Sequence, residues 1–276
     1  MPLPRAEPFF LQVEDGRRFC LYHAPDTDTR PRGGVLAVHA FAEEMNKTRR
    51  AVADAARSLA AHGFAVLQID LAGCGDSDGD FGNATWDGWL ADLDAAWLWL
   101  VERSAAPRWL WGTRCGALLA ESFAGHCDPQ PDGLLFWQPV INGAQHLAQF
   151  LRLKTVNALL RDELGARGAA SPRAELAAGN SMEIAGYRLN PQLADALERA
   201  RAGQRLHASS RVRWLEVSSQ TPPSASPAAT RVVEGWAASG ADARLQAVSG
   251  AAFWQTQEVE RCDALVAATV AALCEP

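Results

Sequence analysis

The sequence predicts an α/β fold with a mainly parallel central sheet covered by helices on both faces. Three observations carry this. Short, continuously apolar runs such as Gly33–His39 and Phe64–Asp70 have the character of strands buried on both sides. Stretches with helical spacing, each long enough for a crossover, separate them. The alternation is then interrupted once, by a long strandless stretch, before it resumes.

Taken in order, Phe9–Val13 and Arg18–Tyr22 read as a hairpin turning at Glu14-Asp15-Gly16. Residues 27–34 form a polar loop leading into the first buried strand, Gly33–His39. Lys47–His62 has apolar residues at helical spacing (Ala51, Ala55, Leu59) and stops at Gly63. Phe64–Asp70 is the second buried strand, and the Gly- and Asp-rich residues 71–82 form a loop. A Trp-, Leu- and Ala-faced helix spans Thr85–Arg103. Arg108–Trp111 is a strand, Ala117–His126 a helix and Gly133–Pro139 a strand. Ile141–Ser209 reads as an inserted helical cap with no clear strand: a helix over Ala144–Leu164, a flexible-looking Gly165–Gly179 and a helix over Asn190–Arg201. The sheet resumes at Arg211–Val217. After the Pro-rich loop Thr221–Ala229 come a helix at Thr230–Ala238, a strand at Ala243–Val248 and a closing helix at Gln257–Leu273. The expected division is a core of residues 1–140 and 210–276 with a cap insertion of 141–209.

The chain has 276 residues, 48% of them hydrophobic and 21% charged, with a formal charge of −6. This suits a globular domain with a substantial core. The acidic balance argues against nucleic acid, whose phosphates select clustered Lys and Arg. No apolar run is long enough to span a bilayer, and the first residues lack the apolar core of a signal peptide, so the expected location is cytoplasmic. Six cysteines are scattered without a CxxC pair, so neither zinc nor a disulfide framework is indicated. Ten tryptophans, six of them between Trp86 and Trp111, point to core packing. Gly73, Gly75 and Gly79 follow a strand without opening a helix in a GxGxxG pattern, so no dinucleotide site and no cofactor is expected.

The stretch richest in chemistry is Gly112-Thr113-Arg114-Cys115-Gly116, between a strand and a helix. It has the outline of a nucleophile elbow, a turn so tight that its flanking positions must be glycine or similarly small. The apex, where Ser, Cys or Asp would attack, is Arg114. A guanidinium stays protonated at neutral pH and cannot be a nucleophile.

Three marks together resemble the α/β-hydrolase superfamily: His39-Ala40-Phe41 after one strand, Asp70-Leu71-Ala72-Gly73-Cys74-Gly75-Asp76-Ser77 after the next, and the elbow. Within it, residues 39–47 (HAFAEEMNK) look like the hydrolases associated with the exosortase A/PEP-CTERM system, best the second of the two types. So do Trp137-Gln138-Pro139-Val140, Gln149-Phe150-Leu151-Arg152, Gly186-Tyr187-Arg188-Leu189 and Phe253-Trp254-Gln255-Thr256. The resemblance implies a bacterial protein connected with exopolysaccharide production and the proteins of that system.

It also implies where a triad would stand. The acid would follow the strand after the cap, where the chain has Ser218-Ser219-Gln220-Thr221-Pro222; Glu216 lies inside that strand. The base would follow the last strand, and Ala252 stands in its place; no His occurs after His207. All three positions are expected to be vacant. The backbone N–H groups of Cys115 and of Ala40 or Phe41 could still form an anion-binding hole. Arg114 either faces a small anionic or acyl ligand there or is held by Glu43 or Glu44. Cys115 is a buried thiol or, with His39 or His146 as base, a nucleophile; Glu43 or Glu44 could alternatively activate water. His39, at a strand end, suits a structural hydrogen bond. Asp70 is expected to order its own loop. Glu183 and Tyr187 are candidates to face the pocket, and Arg199, Arg201 and Arg205 to form a solvated helix face.

Overall fold

The computed structural model describes residues 6–26, 29–160, 171–203, 210–256, 258 and 260–275. The side chains of 155–160, and His207 and Arg205, lie outside the described residues. Strands β1 (Ala6–Val13) and β2 (Gly16–His23) form the antiparallel hairpin. There follow β3 (Gly33–Val38), α1 (Glu43–Ala61), β4 (Phe64–Ile69), a 3-10 turn at Phe81–Asn83, α2 (Trp86–Val101), β5 (Arg108–Thr113), α3 (Gly116–Ala124) and β6 (Gly133–Trp137). The stretch after β6 holds α4 (Gly143–Leu160), α5 (Pro172–Ala177), β7 (Met182–Ile184), β8 (Tyr187–Leu189) and α6 (Pro191–Arg199). The chain ends with β9 (Arg211–Ser218), α7 (Pro227–Ala238), β10 (Asp242–Ser249) and α8 (Asp263–Cys274).

The sheet has eight strands in the order β1-β2-β4-β3-β5-β6-β9-β10, parallel from β4 to β10 and antiparallel at the β1-β2-β4 edge. This is the α/β-hydrolase arrangement. Register fixes the functional edge. Val38 pairs with both Ile69 and Gly112, Gly112 with Phe136, and Phe136 with Trp214, so the loops after β3, β4, β5, β6 and β9 leave the sheet side by side.

Alternation along each strand sorts the core into two layers. Leu36, Val38, Leu110, Leu134 and Phe136 face α2 and α3 on one side. Val35, Ala37, Trp109, Trp111, Leu135 and Trp137 face α1 and α8 on the other. Trp111 and Trp137 meet edge to face at 4.5 Å, and the Trp137 indole N–H donates to Thr269 of α8 at 2.8 Å. Of the six clustered tryptophans, Trp89, Trp97, Trp109 and Trp111 are core, whereas Trp86 and Trp99 lie half-buried against it.

Several boundaries move for identifiable reasons. α1 starts at Glu43 rather than Lys47, because two acidic residues favour the positive N-terminal end of a helix. α7 starts at Pro227 rather than Thr230, with Ser226 accepting from the Ala229 N–H at 3.2 Å as its N-cap. α8 starts only at Asp263, not Gln257. The stretch expected to hold no strand contains the β7–β8 hairpin, and the flexible-looking Gly165–Gly179 contains α5, capped by Ser171. The strands are three residues each, too short for a period to show. Their turn is Ala185-Gly186, both at positive φ (49° and 86°), the left-handed backbone a two-residue hairpin needs.

Candidate functional site: the elbow and the cavity beside it

The elbow has the predicted geometry. Arg114 sits at its apex with φ 54°, a left-handed conformation rare for a side chain of this size. The flanking glycines allow close approach. A Cβ on Gly112 would lie 2.3 Å from the Ala117 Cα, and one on Gly116 would lie 2.3 Å from the His39 carbonyl oxygen. The second contact shows that the elbow packs directly on the end of β3. This brings Cys115 close to Ala40 and Phe41. Neither the Cys115 nor the Ala40 N–H has a hydrogen-bond partner among the described residues.

Arg114 is fully engaged. Its Nε donates to both carboxylate oxygens of Glu44, each at 3.2 Å, and a terminal nitrogen donates to Oε1 at 3.0 Å. The other terminal nitrogen donates to the Gln138 carbonyl at 2.9 Å, and the Trp254 ring lies 4.8 Å from the guanidinium carbon. Between the two expectations for Arg114, the internal ion pair is the one formed, and the partner is Glu44. Glu43 is exposed. The pair is mostly buried, with side-chain exposures of 12% and 14%. Burial pushes the Glu44 carboxyl above its ordinary range, against the pull of Arg114.

The other candidates have defined places. Cys115 is 3% exposed, and burial raises its thiol, with Glu44 adding to the effect and Arg114 opposing it. A neighbouring guanidinium favours a thiolate, but here desolvation outweighs it. His39 places Nδ1 2.7 Å from the Ala40 carbonyl, and its Nε2 accepts from the Leu71 N–H at 3.3 Å. Both nitrogens are used, and burial lowers its pKa. Asp70 orders its loop by accepting from the Asp76 N–H at 3.0 Å and pairing with Arg49 at 2.8 Å. Glu183 is exposed, whereas Tyr187 lies half-buried against Phe81, its hydroxyl accepting from Asn46 at 3.4 Å. Arg199 pairs with Asp195 at 2.7 Å on a solvated face, and Arg201 donates to the Glu198 and Ala200 carbonyls. Glu216 is buried within β9, held by Ser226 (2.7 Å from its N–H) and the Trp214 indole (3.2 Å).

Ser218, at the end of β9, accepts from the backbone N–H groups of Gln220 (3.2 Å) and Ser224 (3.3 Å). Beyond β10, Ala252 is half-buried and Trp254, two residues on, supplies the ring beside Arg114. Trp254 and Gln138 hold the Arg114 guanidinium, a role to which the sequence analysis gave neither of them. The signals for them were their place in loops at the carboxyl edge and in two of the segments that carry the resemblance.

Beside this ion pair lies a cavity of about 390 Å³, within the range of small-molecule sites. Phe41, His146, Phe150 and Trp254 form its buried part, while Glu43, Gln149 and Gln255 stand exposed at its mouth. α4 supplies His146, Gln149, Phe150 and Leu153. Burial, reinforced by Arg114, lowers the His146 pKa to about 4, so the ring is neutral at ordinary pH. Among the described residues no group of three or more His, Cys, Asp or Glu could hold a metal ion, and no helix is long and apolar enough to cross a membrane.

Comparison with known proteins agrees with this architecture. The esterase Est1E from Butyrivibrio proteoclasticus, solved with ferulic acid bound, superposes with a TM-score of 0.65 at 15% identity, covering 95% of this chain and 96% of that one. A thermostable carboxyl esterase from Bacillus coagulans gives 0.60 at 14% identity, covering 89% and 90%. A serine hydrolase without a lid from Xanthomonas campestris gives 0.56 at 15%, covering 99% and 96%. At these identities the likeness is one of fold. No curated protein sequence matches the chain. The family model described as "Serine aminopeptidase, S33" matches residues 29–220, well over half of the chain, and the protein therefore belongs to that family of α/β hydrolases.

Proposed function

We propose that this chain is a hydrolase-fold protein that binds a small acyl-bearing or anionic molecule without turning it over. The carrying observation is Arg114 at the elbow apex, locked by Glu44, Gln138 and Trp254 where a nucleophile would stand. Ser218–Pro222 and Ala252, at the other two expected triad positions, offer neither carboxylate nor imidazole. The fold keeps a small-molecule-sized cavity against this centre, which supports binding in place of catalysis.

The resemblance to exosortase A-associated hydrolases supports a role beside exopolysaccharide and protein-sorting components in the cytoplasm. The segments that carry it, around residues 41–47, 149–150 and 254–256, supply every cavity-lining residue except His146 and Leu153.

A competing reading is ester or thioester hydrolysis or acyl transfer through Cys115, or through water activated by Glu43 or Glu44. The raised Cys115 thiol and the closed Glu44–Arg114 pair weigh against it. A panel of p-nitrophenyl esters and acyl thioesters separates the two. The expected result is no turnover above buffer. Turnover abolished by Cys115→Ala or Glu44→Gln overturns the binding reading.

A further inference from the structure

The cavity described above is lined by a buried imidazole that no hydrogen bond from the described residues engages. His146 stands in the first turn of α4, 8% exposed, its ring edge-on to Phe41 at 5.9 Å. Its Nδ1 is sealed from solvent and has no hydrogen-bond partner among the described residues. Nε2 is not among the sealed atoms and has no protein partner there either. Nε2 is therefore the ring's open nitrogen, on a residue that lines the cavity.

The position of the proton follows from cost. The ring is neutral at ordinary pH, so one nitrogen carries a hydrogen and the other a lone pair. A sealed N–H without an acceptor is rarer in folded proteins than an unfilled lone pair. The proton therefore sits on Nε2, and the cavity receives a neutral donor. Trp254 Nε1 also lacks an acceptor, but it is itself sealed.

The charges nearby decide what that donor accepts. The guanidinium of Arg114 is already neutralised by Glu44, so an incoming carboxylate would be stripped of water without gaining a free cation from it. It would also pass the exposed Glu43 at the mouth, and Lys47, a cation on the lining, already has a partner of its own. A carbonyl oxygen pays far less for desolvation, and Phe41, Phe150 and Leu153 offer apolar surface for an attached chain.

We propose that His146 anchors an uncharged acyl group, its Nε2–H donating to the carbonyl oxygen of an amide, ester or thioester while the acyl chain packs on Phe41, Phe150 and Leu153. This rests on the binding reading above and narrows it: the ligand is a neutral acyl compound, not a free acid.

The test is calorimetric titration of the full chain with octanamide and with octanoate, repeated on His146→Phe and His146→Gln. Phe keeps the ring against Phe41 without a nitrogen; Gln restores a donor. The parent is expected to bind octanamide at least about tenfold more tightly than octanoate. His146→Phe should lose about tenfold for octanamide, the size of one net hydrogen bond, and His146→Gln should recover part of it. Octanoate bound as tightly as octanamide, or more so, overturns the proposal while leaving a receptor in place; this comparison needs no variant. Octanamide affinity unchanged in a folded His146→Phe protein also overturns the proposal alone. Binding of neither probe to the parent overturns it together with the binding reading.

Discussion

Arg114 and Glu44 are locked in a fork: one guanidinium nitrogen reaches both carboxylate oxygens at 3.2 Å and a second reaches Oε1 at 3.0 Å, 70 residues apart in the chain. The pair joins the apex of the elbow to the first turn of α1. It fills the floor of the carboxyl edge, where these folds place their chemistry, with a neutralised charge.

Breaking the fork from one side should cost stability. Glu44→Gln removes the charge that neutralises a mostly buried guanidinium, leaving it the Gln138 carbonyl, the Trp254 ring and at best one amide oxygen. A loss of about 2–4 kcal/mol is expected, at the lower end of what uncompensated buried charges cost because the site keeps some solvent contact. Urea unfolding of parent and variant measures it; a change below about 0.5 kcal/mol would mean the pair contributes nothing net.

Installing a serine should not create an esterase. Arg114→Ser supplies a hydroxyl, but both His39 nitrogens are engaged by Ala40 and Leu71, and Ala252 stands where the base would be expected. No hydrolysis of p-nitrophenyl acetate above buffer is expected, whereas measurable turnover would place a base at the elbow.

Native thiol labelling should pass over the elbow. Burial holds the Cys115 thiol well above its ordinary range, while Cys274 is only partly buried at the end of α8. Iodoacetamide followed by peptide mass spectrometry should modify Cys274 first and leave Cys115 untouched until the protein unfolds. Preferential labelling of Cys115 would identify a reactive thiol and revive the nucleophile reading.

Acid should destabilise the fold as two buried histidines become charged. Burial lowers His23 and His146 from 6.5 to about 4. Between those values the unfolded chain binds more protons than the folded one. Their contribution is therefore complete above pH 6.5 and is lost as the pH falls toward 4. Each carries a loss on the order of 1–3 kcal/mol. Glu44, raised above the ordinary carboxyl value of 4.5, acts in the opposite sense, favouring the folded state as the pH falls. The net expectation is a denaturant midpoint that drops between pH 7 and pH 4.5. The drop should shrink in His23→Leu, a contrast that a shared carboxylate effect would not produce.

Elbow glycines should not tolerate even a methyl group. In Gly116→Ala the Cβ would meet the His39 and Val38 carbonyl oxygens at 2.3 and 2.6 Å, both backbone atoms that cannot swing away. A loss of about 3 kcal/mol or more is expected, visible as a lowered melting temperature. A variant as stable as the parent would mean that the loop after β3 can retreat from the elbow.

Much of this was legible in the linear chain. Apolar runs bounded by turn residues located the strands of the parallel sheet. The Gly-x-x-x-Gly frame located the elbow, because a strand-to-helix reversal that tight excludes a Cβ on either side. The identity of Arg114 at the apex is likewise a fact of sequence, as is the shortage of acid and imidazole in the later loops. The β7–β8 hairpin was not legible, since three-residue strands carry too little pattern to outweigh a helical background.

Sequence alone determined the order of the sheet strands and their crossover helices, because burial on both faces of a strand and periodicity along a helix are local, repeating demands that each segment meets by itself. Only tertiary structure decided which carboxylate closes on Arg114, that Trp254 covers it, and that desolvation outweighs the neighbouring cation at Cys115. Those outcomes depend on distance and solvent exclusion among residues far apart in the chain, quantities that exist only once the sheet has brought β3, β5, β6 and the loop after β10 to one edge.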